Sequence, residues 1–178
     1  MAPNLLGFRM THRAMRGDTR RLARLMNEIA AGEERVDAAR LEAIATFATK
    51  LCDGIHHHHR AEGTVLWPVV VRSADAEVDL SDLSDDHARL DPLLEEITWY
   101  ATRLGKVPVA AKRMAVALGA LADLLDEHIE EEERLLGQYA RPDEMSGLRR
   151  LAGPALALLL TLLSRGHRRR QKTIFGAA

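Results

Sequence analysis

Ile55-His56-His57-His58-His59-Arg60-Ala61-Glu62-Gly63-Thr64-Val65-Leu66-Trp67-Pro68 places four consecutive histidines ahead of a carboxylate and an apolar run. Read from Leu41, the positions Leu41, Ile44, Ala48, Leu51, Ile55, His58, Glu62, Val65 and Val69 advance in steps of three and four, which is one stripe of a core-facing helix. The stripe is apolar except at its centre, His58 and Glu62. An unpaired polar group in such a seam costs on the order of 1–3 kcal/mol, and a charged one more. Partners for this pair must therefore come from elsewhere in the chain.

Working outward, three more seams carry the same kind of interruption. A first helix, opened by Thr11 and stopped after Ala31 by Gly32, has the inward stripe His12, Met15, Thr19, Leu22, Met26, Ile29, with Arg13, Arg16, Arg20, Arg24 and Glu28 on its polar face. Asp37 is placed to cap the second helix, which runs past the histidines until Pro68 weakens it and the stretch from Ser73 to Asp79 ends it. Ser81 or Ser84 opens a third, with the seam His87, Leu90, Leu94, Ile97, Ala101, Leu104. After the turn Gly105-Lys106-Val107-Pro108, the fourth seam is Met114, Leu118, Leu121, Leu125, His128, Glu132, Leu135, Tyr139. The order His, then His-x-x-x-Glu, occurs twice: His12 with His58 and Glu62, then His87 with His128 and Glu132. Such a weak repeat predicts two helical hairpins about an approximate two-fold axis, with all six residues meeting in the core.

Composition agrees with this reading. In 178 residues, 47% hydrophobic and 29% charged, aromatics supply only 4%, while Ala, Leu, Arg and Glu dominate as they do in helices. The fold predicted is all-α, an up-down four-helix bundle over residues 1–142 with an additional C-terminal helical segment over 143–178. Within that segment, Asp143 to Ala152 reads as a short amphipathic helix. Ala155 to Ser164 is apolar on every side, so it must be covered by the bundle or by a second copy in a homodimer. The basic remainder, with Arg165, Arg168, Arg169, Arg170 and Lys172, reads as a loose tail. A net charge of −1 gives no global field for nucleic acid, and the apolar run from Pro154 to Leu163 falls short of the ~20 residues a membrane-spanning helix needs. The lone Cys52 and the lack of a signal-peptide pattern point to the cytoplasm.

Residues four apart on a helix share a face, so each His-x-x-x-Glu presents one nitrogen and one oxygen together. With His12 and His87 the sum is four imidazoles and two carboxylates. Six ligands exceed a four-coordinate structural zinc, and imidazole with carboxylate and no thiolate suits iron or manganese. Two metals sharing bridging carboxylates fit the count. Of the other histidines in the run, His57 and His59 lie about 100° to either side of His58 and read as supporting ligands or as a solvated face. Glu130, Glu131 and Glu133 form a charged face from which one is suited to orient a ligand histidine. Cys52 reads as an inert buried thiol. Glu-x-x-His and His-Glu-x-x-His are both absent, which excludes the ferritin-like di-iron pattern and the zinc-protease pattern.

His12, His58-x-x-x-Glu62, His87 and His128-x-x-x-Glu132, with Leu66-Trp67-Pro68 and the Glu131-Glu132 pair beside them, resemble the hemerythrin-like, or HHE cation-binding, domain over about residues 8–140. The ending from Arg168 to Gly176 resembles longer actinobacterial members. The resemblance implies two non-haem iron ions, oxo- or hydroxo-bridged, in a four-helix bundle. Glu62 and Glu132 would bridge them, His12 and His58 would end-ligate one ion, and His87 and His128 the other. Oxygen-carrying hemerythrins add a further histidine four residues after the first on helix three, where this chain has Asp91. The departure implies an open position on both irons, unless Asp91, His57 or another side chain fills one. Open positions favour peroxide or nitric oxide chemistry, or sensing, over oxygen carriage; as an enzyme the protein would disproportionate hydrogen peroxide in a catalase-like reaction, an oxidative-stress role. The alternatives are a non-enzymatic sensor or carrier of oxygen, nitric oxide or iron, or a metal store without gas chemistry.

Overall fold

The computed structural model of the protein describes residues 5–74, 77–139 and 174–175. Its helices are α1 (Leu6–Ala31), α2 (Ala38–Ala61), a π-helical turn (Glu62–Leu66), α3 (Trp67–Ser73), α4 (Ser81–Ala101) and α5 (Ala110–Tyr139), and no strand occurs among the described residues. The protein is all-α, as its composition indicated. The expected C-terminal helices between Asp143 and Ser164, and the homodimer contact assigned to them, lie outside the described residues.

Local chemistry fixes most helix ends. Gly32 stops α1 in a left-handed conformation, φ 77°, where its N–H reaches the carbonyls of Glu28 and Ile29. The start of α1 corrects the sequence reading. The helix begins at Leu6, and the Thr11 hydroxyl donates to the Gly7 carbonyl at 3.1 Å from inside it, so Thr11 is no cap. Asp37 does cap α2, its carboxylate accepting the Arg40 N–H at 2.7 Å. At α4 neither serine caps; Asp79 accepts the Ser81 N–H at 2.9 Å instead. The turn after α4 needs glycine at position 105, where φ is 73° and an added Cβ would lie 3.0 Å from Leu41 Cδ1.

α1, α2, α4 and α5 close a ring in which α1 packs on α5 and α2, and α4 packs on α2 and α5. Neighbours run antiparallel. Early α1 meets late α5 through His12 and Glu133, with Arg16 beside Asp126 a turn further in, and early α1 meets late α2 through His12 and His58. Early α4 likewise meets late α5 where Asp86 faces His128. The larger apolar layer centres on fully buried Leu22, Met26, Ile44, Ile97, Leu118 and Leu121, each contributing about 1.5–3 kcal/mol by leaving water. A smaller layer of Trp67, Val70, Leu83, Leu135 and Leu136, packed against Leu5 and Phe8, closes the other end. His12, His58, His59, Glu62, His87, His128 and Glu132 fall between these layers, while Asp18 and Thr19 of α1 are buried within the larger one.

The π turn corrects the helix-two seam. Steps of three and four from Glu62 place Val65 and Val69 inward, yet both are only half-buried, and Trp67 and Val70 are buried at 4% and 1% exposure. The Trp67 N–H reaches back five residues to the Glu62 carbonyl, so one extra residue fits into the turn and the phase slips. Pro68 supplies the cause, since it lacks an N–H and its ring crowds the carbonyl one turn back, which a wider turn relieves. The loose tail is corrected at two residues. Ile174 is fully buried, its carbonyl accepts from Arg40 Nε at 3.1 Å, and the Phe175 ring packs on Phe47 with centroids 5.8 Å apart.

Candidate metal centre

Four helices supply the polar layer. α1 contributes His12, the end of α2 contributes His58 and His59, and Glu62 opens the π turn. α4 contributes His87, and α5 contributes His128 and Glu132. All are buried except His87, which is partly exposed. The six residues singled out by the helical seams thus come together in one place, and His59 joins them.

The donor atoms fall into two groups, each with every member within 4.8 Å of the others: His12, His58, Glu62 and Glu132, and His59, Glu62, His87 and His128. In the first, the Nε2 atoms of His12 and His58 stand 3.0 Å apart, and Glu62 Oε1 is 2.9 Å from His58 Nε2. Two imidazole nitrogens held about 2.1 Å from one divalent ion at a right angle would be about 3.0 Å apart, so the pair suits a shared ion. Both carboxylates face both groups. Glu62 belongs to each, while Glu132 Oε2 lies 3.4 Å from His12 Nε2 and its Oε1 lies 3.3 Å from His128 Nε2.

No protein group satisfies most of these atoms. Both carboxylate oxygens of Glu62 and of Glu132, both ring nitrogens of His128, and Nε2 of His59 and of His87 are buried without an aligned hydrogen bond, although imidazole nitrogens stand 2.9–3.4 Å from Glu62 Oε1 and the two Glu132 oxygens. Each such atom carries a desolvation cost of about 1–3 kcal/mol, so a chain that buries them together needs a group that accepts their lone pairs. Metal cations do so. The imidazole and carboxylate donor set fits iron or manganese, and no thiolate joins it.

The electrostatics are those of a paired cluster. Burial pushes the Glu62 carboxyl up, but His58, His12 and His59 outweigh it and hold it below the usual carboxylate range. Glu132 is raised by burial and by the Glu62 charge beside it. Burial lowers His58, yet Glu62 and Glu132 bring it above the ordinary imidazole value; His128 likewise is lowered by burial and raised further by Glu132. Burial, with His58, His128 and His87 around it, holds His59 well below despite Glu62, and His87 is lowered by burial and by His128.

Outer carboxylates touch the far side of two imidazoles. Glu133 Oε1 is 3.1 Å from His12 Nδ1, with Arg9 Nε 3.7 Å from its other oxygen, and Asp86 Oδ2 is 3.4 Å from His128 Nδ1. A proton on His12 Nδ1, shared with Glu133, leaves its Nε2 free as a lone-pair donor toward the centre, while Asp86 stands near His128 Nδ1 without a hydrogen bond to it. Phe8 lies edge-on to the His12 ring with centroids 4.0 Å apart.

Two residues weighed as fillers of the open position stay outside. Asp91 is exposed and pairs with His56 on the surface at 3.2 Å, and His57 is exposed. His59 takes the inward place. The signal for it was the phase of Glu62, which at about 100° per residue sits about 40° from His58 and about 60° from His59, between the two. Asp86 had no signal in the seam, because its role depends on which face of α5 lies opposite.

No curated protein and no solved structure matches the chain. The family described as Hemerythrin HHE cation binding domain matches it over residues 7–140.

Proposed function

Because the chain belongs to the hemerythrin HHE cation-binding family, we propose that His12, His58, Glu62, His87, His128 and Glu132 hold two non-haem iron ions, and that the centre binds or processes dioxygen, hydrogen peroxide or nitric oxide. One observation carries the reading: two donor groups, separately too small to be a closed shell, share buried carboxylates that face both ways. Two irons held there supply redox capacity that no side chain of the site has.

The chain's own residues do the rest. Glu62 and Glu132 fix the spacing of the two positions from opposite walls. The imidazoles set their electronic character, with Glu133 holding the Nδ1 proton of His12 and the Asp86 charge 3.4 Å from His128 Nδ1. The apolar layers above and below exclude bulk water, which strengthens every charge interaction between them. His87, the partly exposed member, marks the side from which a small molecule enters. The lone thiol, Cys52, fits a reducing cytoplasm.

Catalase-like disproportionation of hydrogen peroxide is the favoured activity, because two imidazoles and two carboxylates in the first group leave positions open to an exogenous ligand. A non-enzymatic sensor or carrier is the second reading. It is favoured by Ile174, whose burial against the bundle gives the C-terminal segment a contact through which it can respond to the core. The deciding experiment is the iron content and visible spectrum of natively purified protein before and after hydrogen peroxide. About two irons per chain with oxygen evolved support the enzyme. Two irons with a spectral change and no turnover support the sensor or carrier. Zinc alone, or no metal, overturns the di-iron reading.

A further inference from the structure

His59 is not required by the six-residue set, yet it is only 6% exposed, and its Nε2 is buried without a hydrogen-bond partner. Its ring centroid stands 5.1 Å from that of His87 and 4.9 Å from that of His128, and those two are 4.9 Å apart. Three imidazoles therefore form a nearly equilateral triangle around the second donor group, with Glu62 as its carboxylate. A lone histidine buried this way for packing would forfeit a hydrogen bond at both the ring and its neighbours, whereas a third ligand position satisfies the orphaned nitrogen.

Helix geometry explains how one segment serves two positions. Glu62 lies about 40° from His58 and about 60° from His59 around the α2 axis, so the adjacent imidazoles diverge to either side of one carboxylate. On α5 the corresponding places are His128, residue 129 and Glu132. Residue 129 is Ile129, fully buried and apolar. The approximate two-fold repeat differs at this pair, His59 against Ile129.

We propose that His59 is the third imidazole ligand of the ion held by His87 and His128, so that the two metal positions are unequal: three histidines at one, and at the other only His12 and His58. This rests on the two-metal reading of the site. The third imidazole then comes from α2 beside His58, while Asp91 on α4 stays on the surface with His56.

The test is an anaerobic titration of metal-free wild type, His59→Ala and His57→Ala with ferrous iron, followed by competition with a chelator. Wild type and His57→Ala, whose imidazole is exposed, should take up two ions. His59→Ala should keep one ion and bind the other on the order of 100-fold more weakly, at or beyond the top of the range for losing an outer partner of a metal ligand. Two ions at wild-type affinity in His59→Ala would overturn the assignment of His59 and leave the two-metal site standing. Failure of wild type to bind two ions would overturn both. Should His59→Ala not fold, X-ray absorption at the iron edge of wild type decides alone: five imidazoles per two irons support the assignment, and four contradict it.

Discussion

Replacing Glu132 and His128 together by leucine should raise stability in one state of the protein and lower it in the other. Both are fully buried, Glu132 Oε1 lies 3.3 Å from His128 Nε2, and the Glu132 pKa is raised by burial and by Glu62. Leucine carries no charge at either place. In the metal-free protein, exchanging a buried ion pair for apolar side chains is worth about 1–4 kcal/mol, whereas removing Glu132 alone would strand the imidazole beside it and cost about 3–5 kcal/mol. For a chain of this size about 2 kcal/mol corresponds to a rise in Tm of roughly 4–8 °C. With metal the sign reverses. A cation at 1,000 times its Kd stabilises the folded state by about 4 kcal/mol, and a variant that has lost two of its ligands forgoes most of that. The metal-loaded double variant should thus melt below metal-loaded wild type, though its metal-free form melts above metal-free wild type. Calorimetry or circular dichroism melts of the four samples read this directly. A metal-free double variant that melts lower than metal-free wild type would show that the pair stabilises the bundle without metal, and the reasoning from its buried charges would be wrong.

Further expectations concern parts of the fold around the centre. Glu133→Gln removes the carboxylate on His12 Nδ1 and should weaken metal binding by about 10–100-fold, with Glu130→Gln, an exposed change, as the control; equal affinities in a chelator competition would deny Glu133 an orienting role. Deleting Thr64, exposed in the π turn, should convert that turn to α-helix while leaving Trp67 and Val70 inward. The α-helix brings back the crowding of Pro68 against the carbonyl one turn earlier, so urea unfolding should show a loss of about 3 kcal/mol, and unchanged stability would mean that Pro68 is not the cause of the wide turn. The Cys52 thiol is pushed up to about 12, chiefly by burial, so it stays protonated at pH 8. A thiol reagent should leave the native protein unmodified and label it only on unfolding, whereas rapid native labelling would place Cys52 nearer the surface. Metal uptake should weaken on acidification. His58 and His128 have raised values when metal-free, so they keep their protons to higher pH than an ordinary imidazole and must release them to bind; affinity measured from pH 8 to pH 6 should fall, and a flat profile would exclude these imidazoles as ligands.

Much of this was written in the spacing. Four stripes with steps of three and four gave the bundle, because burial on one face of a helix leaves that periodicity and nothing else imitates it over six to nine positions. The same stripes pointed to His12, His58, Glu62, His87, His128 and Glu132, since a polar residue in an apolar stripe stands out. What the spacing missed was lost where helix geometry changes or where two helices meet. The π turn after Glu62 moved Trp67 and Val70 inward, and a rule built on 3.6 residues per turn has no place for an added residue. His59 fell off the stripe of His58 and was read as a flank, although Glu62 lies between the two. Asp86 touches an imidazole on another helix without any mark in the spacing, and Glu133 was only one of three glutamates from which an orienting partner could come; contacts of that kind depend on helix rotation. Ile174 and Phe175 follow a run of basic residues and carry too short a pattern to announce that they dock on α2.

The most direct test of the metal centre is a crystal structure of the iron-loaded protein with anomalous difference density collected at the iron edge. Two peaks about 3.5–4 Å apart should lie in the polar layer, both touching Glu62 and Glu132, one beside His12 and His58 and the other among His59, His87 and His128. A single peak, peaks confined to the surface, or an empty layer in protein exposed to excess ferrous iron would contradict a two-metal site and leave the buried polar cluster with another role.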